Sequence, residues 1–348
     1  MAWFAPPPRS IGGMWRPRHP GRFVAFVLVA VALLVAAWLP IPYYSEGPGP
    51  ARDVLTRIAF PGPTEGVARY DPTGSLELTT VRYRQLTPLL ALIAWVDDTQ
   101  AIVPAELVYP TDVPAQVVEQ RGVSQMDQSK IAATAVALRK AGIYPKEHAP
   151  GALIENVAEQ CPAEGELFPG DIITEVDGKS VRSASQASRL FDRIPDDHAL
   201  HFVLDVDGQT ERATFTRAPC GPDKEMLVGV SMIDAFPFPV TMTSDEIGGP
   251  SAGLMWALGL YELLTPEDLT AGRTIAGTGE ITPDGTVYPI GGIQDKVIAA
   301  QRAGATIFLA PTENMAELAG VDTGDMQVIP VATFDDALQA LRQGLPTS

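Results

Sequence analysis

An uncharged apolar run near the N-terminus constrains this chain more than any other feature of its sequence. The run extends from Phe23 to Leu39, and residues 1–45 contain no Asp or Glu. The basic residues that precede the run are Arg9, Arg16, Arg18 and Arg22. The run reaches the lower length limit for crossing a hydrocarbon layer of roughly 30 Å, and basic residues before a span are typical of the cytoplasmic side. We therefore expect a cytoplasmic basic tail at 1–22, a single-pass anchor at 23–42 and a catalytic part outside the cell.

A cleaved secretory signal is the alternative interpretation of the same run. The apolar stretch of such signals usually covers about 7 to 15 residues and ends in small residues at the cleavage site. This run is longer and is followed by Pro40, after Trp38 and Leu39. That ending favours an anchor that stays attached.

Charge and cysteine content narrow the choice of partner and compartment. The formal charge is −17, and it becomes −21 when the four arginines before the run are set aside. Nucleic acid is a poor partner for such a surface, because phosphate binding needs clustered cations. The only cysteines are Cys161 and Cys220. Outside the cell they can form a disulfide, and two buried free thiols are the alternative.

The region 43–142 combines an expected stalk with a few regular elements. The Pro and Gly residues of 40–63 cannot hold a helix and indicate a stalk that leaves the membrane. Alternating polarity over Ser75–Val81 predicts a strand. Apolar residues at helical spacing over Gln128–Lys140 predict a helix that Gly142 ends.

The next segment shows a strand, a turn, a strand, a helix and a hairpin that turns at Asp207-Gly208. It resembles bacterial PDZ domains, and the residues that carry the resemblance are Leu167, Gly170, Asp171, Ile172, Ile173, Val176, Gly178 and Val181. The resemblance implies a partly open β-barrel with helices over 143–221 that binds an extended peptide as an added strand. It places the groove along Ala152–Val157, beside a helix at Ser183–Ile194. The peptide-binding residues would be Gly151, Ala152, Leu153 and Ile154, and a spacer that binds nothing is the alternative.

A serine within a Gly-rich segment is the candidate nucleophile. The segment Gly248–Gly253 reads GGPSAG and precedes an amphipathic helix that we expect to begin at about Pro250. Ser251 would then lie on the first turn, where unpaired backbone N–H groups and the helix dipole favour an oxyanion. The expected donors are the backbone groups of Gly249, Pro250, Ser251 and Ala252. An ordinary helix cap is the alternative role for Ser251.

A catalytic serine needs a base, and the sequence offers one candidate. The spacing Gly-x-Ser251-x-Gly also matches α/β-hydrolases, whose histidine follows the serine, but all four histidines here precede Ser251. The only lysine after Ser251 is Lys296, early in a helix that follows two glycines. An ordinary lysine, with a pKa of about 10.4, cannot accept a proton near neutrality. We therefore expect burial to lower the pKa of Lys296, with Asp295 facing away.

The region Val228–Thr333 resembles the proteolytic domain of Lon proteases. The matching segments are GPSAG around Ser251, TGEI from Thr278, PIGG three residues before Lys296, and the residues Ala303–Ala305 before a strand at Thr306–Leu309. The resemblance implies a Ser251–Lys296 dyad with Thr278 as an orienting hydroxyl, in a Lon-type α/β domain over 222–348. Many Lon proteases carry an acidic residue at the position of Gly248.

The two resemblances together imply an α+β protein with an N-terminal transmembrane helix. The segment Met126-x-x-Ser129-x-x-x-Ala133 resembles the first helix of the Lon domain, which implies a PDZ domain inserted in the protease. No Walker-type loop occurs, so we expect an ATP-independent serine endopeptidase without cofactor or metal, acting on membrane or cell-envelope proteins. A hexamer is implied by analogy. A catalytically inactive PDZ scaffold and an α/β-hydrolase-type esterase are the competing classes.

Overall fold

The computed structural model describes residues 20–61, 67–245 and 247–343, and it divides them into two compact units: residues up to 46 with 83–108, and 47–82 with 109–343. The helices are α1 Pro20–Trp38, α2 Pro88–Val96, α3 Ala105–Val108, α4 Ala115–Lys140, α5 Ala184–Phe191, α6 Gly253–Leu264, α7 Ile293–Arg302 and α8 Phe334–Gln343. The strands are β1 Tyr43–Pro48, β2 Arg52–Asp53, β3 Ile58–Ala59, β4 Ser75–Leu78, β5 Val81–Gln85, β6 Ala101–Pro104, β7 Ala152–Val157, β8 Ile172–Val176, β9 Lys179–Ser180, β10 Ala199–Val206, β11 Gln209–Thr216, β12 Ala218–Cys220, β13 Glu225–Leu227, β14 Val230–Asp234, β15 Thr241–Met242, β16 Thr274–Gly277, β17 Glu280–Ile281, β18 Val287–Tyr288, β19 Ile307–Pro311 and β20 Gln327–Val331. This mixture of helices and sheets confirms the expected α+β class.

The first unit contains two apolar helices and a small sheet. Within α1, the window Gly21–Trp38 has a mean hydropathy of 2.3, and none of its residues is buried. It is long and apolar enough to cross a membrane, a criterion that a secretory signal sequence also meets. The sheet has the order β5-β1-β6, and α2 packs against α1. Of the expected cytoplasmic tail, residues 1–19 lie outside the described part of the chain.

A five-stranded sheet forms the centre of the second unit. Its order is β2-β4-β16-β19-β20, and the last four strands run parallel. Successive side chains of a strand point to opposite faces, and helices cover both faces of a parallel sheet. Accordingly Ile275 joins the core that contains α4 and α6, whereas its neighbour Ala276 joins the core that contains α7. The sheet is therefore covered by α4 and α6 on one face and by α7 on the other.

The helices α4 and α6 pack against each other in the larger core. Residues such as Leu254 and Leu258 of α6 and Ala133 and Ala137 of α4 are fully buried there. α4 begins at Ala115, well before the expected start at Gln128. Its first turns contain Arg, Gln and Gly and show no apolar face, so periodicity could not reveal them. The helix thus extends from the core to the loop that precedes α6.

The residues between α4 and β15 build a second, antiparallel sheet with its own core. The strand order is β11-β10-β8-β7-β14, with β9 paired to β8. Phe202, Leu200 and Ile173 are buried in this core, and Phe202 stacks on Phe191 of α5. The turn at Asp207-Gly208 joins β10 and β11 as expected.

Two expected features of the region before α4 are wrong. The expected stalk over 40–63, of which residues 62 and 63 lie outside the described part, instead forms β1, β2 and β3, and Val54 is completely buried. The expected strand Ser75–Val81 ends at Leu78. Just after this end, Thr79 Oγ1 donates to the Gly277 carbonyl at 3.2 Å and Thr80 Oγ1 donates to the Pro50 carbonyl at 2.9 Å. Such contacts between distant residues leave no periodic signal.

The burial of Val54 predicts a measurable contribution to stability. Val54 lies against α6, where a Cβ added to Gly259 would meet Val54 Cγ2 at 2.6 Å. We expect Val54→Ala to lower the free energy of unfolding by about 2 kcal/mol, through lost apolar burial and a cavity. The exposed neighbour Arg52 provides the control variant Arg52→Ala. Equal urea midpoints for the two variants would contradict this packing.

Candidate active site

Ser251 lies in a loop between β15 and α6 rather than within the helix. The Ser251 carbonyl accepts hydrogen bonds from Gly279 N at 2.8 Å and from Thr278 Oγ1 at 2.9 Å. The first helical carbonyl is that of Ala252, which accepts from Trp256 N at 3.0 Å. The expected helix start at Pro250 is therefore wrong, since α6 begins at Gly253. Ser251 sits two residues before it.

Helix α4 supports this loop from the opposite side. Gly249 N donates to the Gly122 carbonyl at 2.8 Å, and Ser129 Oγ donates to the Pro250 carbonyl at 2.8 Å. A Cβ on Gly248 would meet the Gly122 backbone at 3.2 Å, and one on Gly253 would meet Ser129 Oγ at 2.6 Å. The close approach of the loop to α4 explains why glycine occupies position 248.

Lys296 reaches Ser251 from α7. Gly292 caps this helix in the left-handed conformation (φ 67°), which favours glycine, and Lys296 N donates to the Gly292 carbonyl at 3.1 Å. The side chain of Lys296 is only 3% exposed, and its Nζ lies 2.6 Å from Ser251 Oγ. Burial lowers the pKa of Lys296 to about 7, because the charged ammonium loses its hydration. None of the ion pairs formed by the described residues includes Lys296.

Thr278 completes the cluster at the end of β16. Its hydroxyl is buried, donates to the Ser251 carbonyl and accepts from Lys296 Nζ at 3.0 Å. A hydroxyl has a single hydrogen, so Thr278 can only accept from the amine while that donation lasts. This arrangement holds one N–H of Lys296 toward Thr278. A neutral amine then keeps its lone pair for Ser251.

The four expected oxyanion donors differ in whether they have a backbone N–H that is free to donate. Pro250 has no N–H, and the N–H of Gly249 is already donated to Gly122. The backbone N–H groups of Ser251 and Ala252 have no acceptor among the described residues. They remain the candidates for binding a developing oxyanion. No group of three or more His, Cys, Asp or Glu in the described part of the chain could hold a metal ion.

A second candidate site is a groove in the antiparallel sheet domain. Its volume is about 570 Å³, and it lies between α5 and β14. Its lining includes Ser188, Phe191, Asp192, Gly229, Val230 and Met232. Ala184 N of α5 donates to Asp234 Oδ1 of β14 at 2.8 Å, which holds the two elements together at one end.

The expected groove along β7 is wrong. β7 pairs with β8 on one side and with β14 on the other, so Ala152, Leu153 and Ile154 offer no free strand edge. The edge strands of this sheet are β11 and β14, and β14 is the one that lines the groove. The alternating apolar residues Val228, Val230 and Met232 are a sequence signal for this strand. They lie, however, in the region that resembles Lon proteases and outside the expected PDZ domain at 143–221. Gly151 precedes β7, outside the groove lining.

The two cysteines form a disulfide next to this groove. Cys161 is bonded to Cys220, and a Cβ on Gly229 would meet Cys161 Cβ at 2.1 Å. Ala158 N donates to the Gly229 carbonyl at 2.8 Å, and Ala163 N donates to the Val228 carbonyl at 3.0 Å. The disulfide loop therefore supports the start of β14, and the free-thiol alternative is wrong.

Two family models match this chain. Residues 243–343 match the Lon protease (S16) C-terminal proteolytic domain, and residues 153–205 match a PDZ domain. The Lon protease of Campylobacter concisus is 41% identical over 95 residues, which cover 26% of this chain and 12% of that protein. The Lon protease of Vibrio parahaemolyticus is 39% identical over 102 residues, which cover 28% and 13%. The chain thus spans only 12–13% of the length of these relatives.

Two solved PDZ domains are also similar to part of the chain. The PDZ domain of the SdrC-like protein from Listeria innocua is 23% identical with a TM-score of 0.22, covering 24% of this chain and 92% of that one. The corresponding domain from Listeria monocytogenes is 19% identical with a TM-score of 0.22, covering 24% and 87%.

The family model and the Lon relatives support one class for the C-terminal domain, that of a serine peptidase. More narrowly, residues 243–343 are a Lon-type (S16) proteolytic domain, and the chain joins it to a PDZ domain at 153–205.

The burial of Lys296 predicts a pH dependence of stability. The pKa is about 7 in the folded chain and about 10.4 in the unfolded chain, so between these values the unfolded chain binds more protons. Raising the pH therefore favours the folded state. We expect the unfolding free energy of the wild type to rise by about 1.4 kcal/mol per pH unit relative to Lys296→Met. Urea unfolding of both proteins between pH 7 and 10 measures this slope, and a constant difference would contradict the lowered pKa.

Proposed function

We propose that the chain is a serine endopeptidase in which Ser251 is the nucleophile and Lys296 is the general base. The observation that carries this proposal is the 2.6 Å contact between Lys296 Nζ and Ser251 Oγ, made by a buried amine whose pKa lies near 7. A buried base of that pKa is half neutral near physiological pH, as general base catalysis requires.

The mechanism follows from the positions of these groups. Neutral Lys296 takes the Ser251 proton as Oγ attacks the peptide carbonyl, and the N–H groups of Ser251 and Ala252 bind the oxyanion. Lys296 then gives that proton to the leaving amine as the C–N bond breaks, which leaves an acyl-enzyme. Water attacks the ester with Lys296 again as the base, and Ser251 recovers its proton.

Direct chemistry at Ser251 tests this proposal. We expect a serine-directed covalent probe to label the wild type, which also cleaves an unstructured peptide without ATP. Ser251→Ala loses both activities, and Lys296→Met lowers both by about 10²–10⁴-fold. The control variant is Lys179→Met, which removes an exposed lysine of β9. A wild type that neither reacts nor cleaves would favour the inactive PDZ scaffold, and cleavage of esters but never peptides would favour an esterase.

Thr278 serves in this proposal as the hydroxyl that orients Lys296. Thr278→Val removes the acceptor for the amine but keeps the shape of the side chain, so we expect a 10- to 100-fold lower kcat, at about 1.4 kcal/mol per factor of ten. Thr278→Ser keeps the hydroxyl and serves as the matched control. Peptide cleavage kinetics of both variants provide the measurement. Equal losses of kcat in Thr278→Val and Thr278→Ser would show that the methyl group matters and the hydroxyl does not.

The PDZ domain would deliver protein substrates to the dyad. β14 is an edge strand beside a groove, and an extended peptide can bind such an edge by main-chain hydrogen bonds. Binding there raises the local concentration of substrate at Ser251. Because β4 and α4 precede this domain yet belong to the core that contains α6, we propose that it is inserted within the protease domain.

A matched pair of substitutions on α5 tests the groove. Ser188 lines the groove, whereas Ser185 lies on the same helix and outside the lining. We expect Ser188→Arg to fill the groove and to lower cleavage of protein substrates at least about tenfold, while cleavage of short peptides is unchanged. Ser185→Arg should change neither rate. Equal protein cleavage by both variants would exclude the groove from recruitment.

We place α1 in the cell membrane as a single span with the N-terminus in the cytoplasm. The basic residues before it support this orientation. The catalytic part would then act outside the cell, where the Cys161–Cys220 disulfide is stable. The substrates would be membrane or cell-envelope proteins. A ring-shaped homo-oligomer, a hexamer, is proposed only from the resemblance to Lon proteases.

A further inference from the structure

Helix α2 presents apolar side chains to the outside of the first unit. Leu89, Leu92, Ile93 and Val96 are exposed at the spacing i, i+3, i+4 and i+7, which places them on one stripe of the helix. Val96 is 73% exposed and the neighbouring Trp95 is 78% exposed. Soluble surfaces seldom carry such a continuous apolar stripe without a partner. We therefore expect another apolar surface to cover this stripe.

The sequence of α2 contains no charged residue, and polar groups bound it at both ends. Thr87 caps the first turn by accepting from Leu90 N at 3.3 Å. After the last turn, the Asp97 carboxylate accepts from Thr99 N at 3.0 Å and from Gln100 Nε2 at 2.6 Å. An uncharged helix between two polar turns fits an apolar medium better than a charged protein surface.

Hydrogen bonds fix the start of α2 next to the end of α1. Ile41 N donates to the Leu86 carbonyl at 2.8 Å, and Leu86 N donates to the Tyr43 carbonyl at 2.9 Å. Leu86 immediately precedes the cap of α2, and Ile41 lies three residues after the last residue of α1. α2 also packs against α1. If α1 crosses a bilayer, α2 begins at the level where α1 leaves it.

Length decides how α2 could meet that bilayer. Nine residues at a rise of about 1.5 Å give roughly 14 Å, too short for a hydrocarbon layer of roughly 30 Å. Exposed Trp95, like exposed Trp38 at the end of α1, is the residue type found at the membrane–water boundary. A short apolar helix at this boundary lies in the interface rather than across it.

We propose that α2 is a second membrane-contacting element, which buries the stripe Leu89, Leu92, Ile93 and Val96 in the outer leaflet of the bilayer that α1 crosses. This inference rests on the proposed membrane placement of α1. α2 and α1 would together fix the first unit at the membrane by two contacts, where a lone span leaves the chain free to rotate. The lipid bilayer is the occupant, and a second copy of this chain is the competing one.

Depth-dependent fluorescence quenching in the full chain tests this proposal. Leu28→Cys, Leu92→Cys and Trp95→Cys report on α1 and α2, and Gln209→Cys at the start of β11 is the exposed polar control. Cys161 and Cys220 stay bonded under non-reducing conditions, so a fluorophore attaches only at the new position. Each labelled protein is placed in vesicles of phosphatidylglycerol and phosphatidylethanolamine that carry a nitroxide on the acyl chain.

The outcomes separate the inference from the proposed anchoring. We expect the labels at positions 28, 92 and 95 to be quenched at least about twofold more than the label at 209. Quenching of the label at position 28 alone would overturn the membrane contact of α2 and leave the anchoring by α1 intact. Absence of quenching at all of these positions overturns both. Labels at 92 and 95 that escape lipid quenching but quench one another between copies would assign the stripe to a second chain and overturn the proposal.

Discussion

The proposed role of Lys296 as the base for Ser251, which its Nζ contacts at 2.6 Å, depends on the exclusion of water from that amine. At 2.6 Å a charged ammonium would hold Ser251 as a proton acceptor and prevent its activation. The fold meets this requirement by burying Lys296 to 3% exposure, in the second turn of a helix that packs on the central sheet. That burial opposes folding at neutral pH, because the unfolded lysine is charged. The surrounding core must offset this cost, which is typical of sites whose pKa values are shifted for catalysis.

Helix α4 connects the two candidate sites without belonging to either. Through Gly122 and Ser129 it holds the backbone of the nucleophile loop, and through Gln128 Nε2 it donates to Asn156 Oδ1 of β7 at 2.7 Å. Asn156 also lines the groove between α5 and β14. One helix therefore sets the position of Ser251 and contacts the wall of the groove between α5 and β14. This arrangement gives a structural reason for an α4 that is longer than its apolar face requires.

The sequence predicts the proximity of Ser251 and Lys296 and much of the fold, and it fails where contacts join distant residues. Ser251 and Lys296 stand out in the sequence because each follows glycines and precedes an apolar helical pattern, and because no histidine follows Ser251. The expected start of α6 is wrong by three residues, since Gly279 and Thr278, which bind the Ser251 carbonyl, lie between β16 and β17, far away in the sequence. β14 was missed as the groove edge for the same reason, because strand pairing decides which strand stays free. Burial of Val54 inside the expected stalk likewise arises only on packing.

Titration of the Lys296 side chain by NMR shows directly whether Nζ is neutral near physiological pH. Selective isotope labelling of lysine ε-groups gives a resonance for Lys296 that disappears in Lys296→Met, and its shift against pH reports the protonation of Nζ. We expect a midpoint at about pH 7 for this resonance. A midpoint near the ordinary lysine value of about 10.4 would show a cationic amine at neutral pH and would contradict Lys296 as the base.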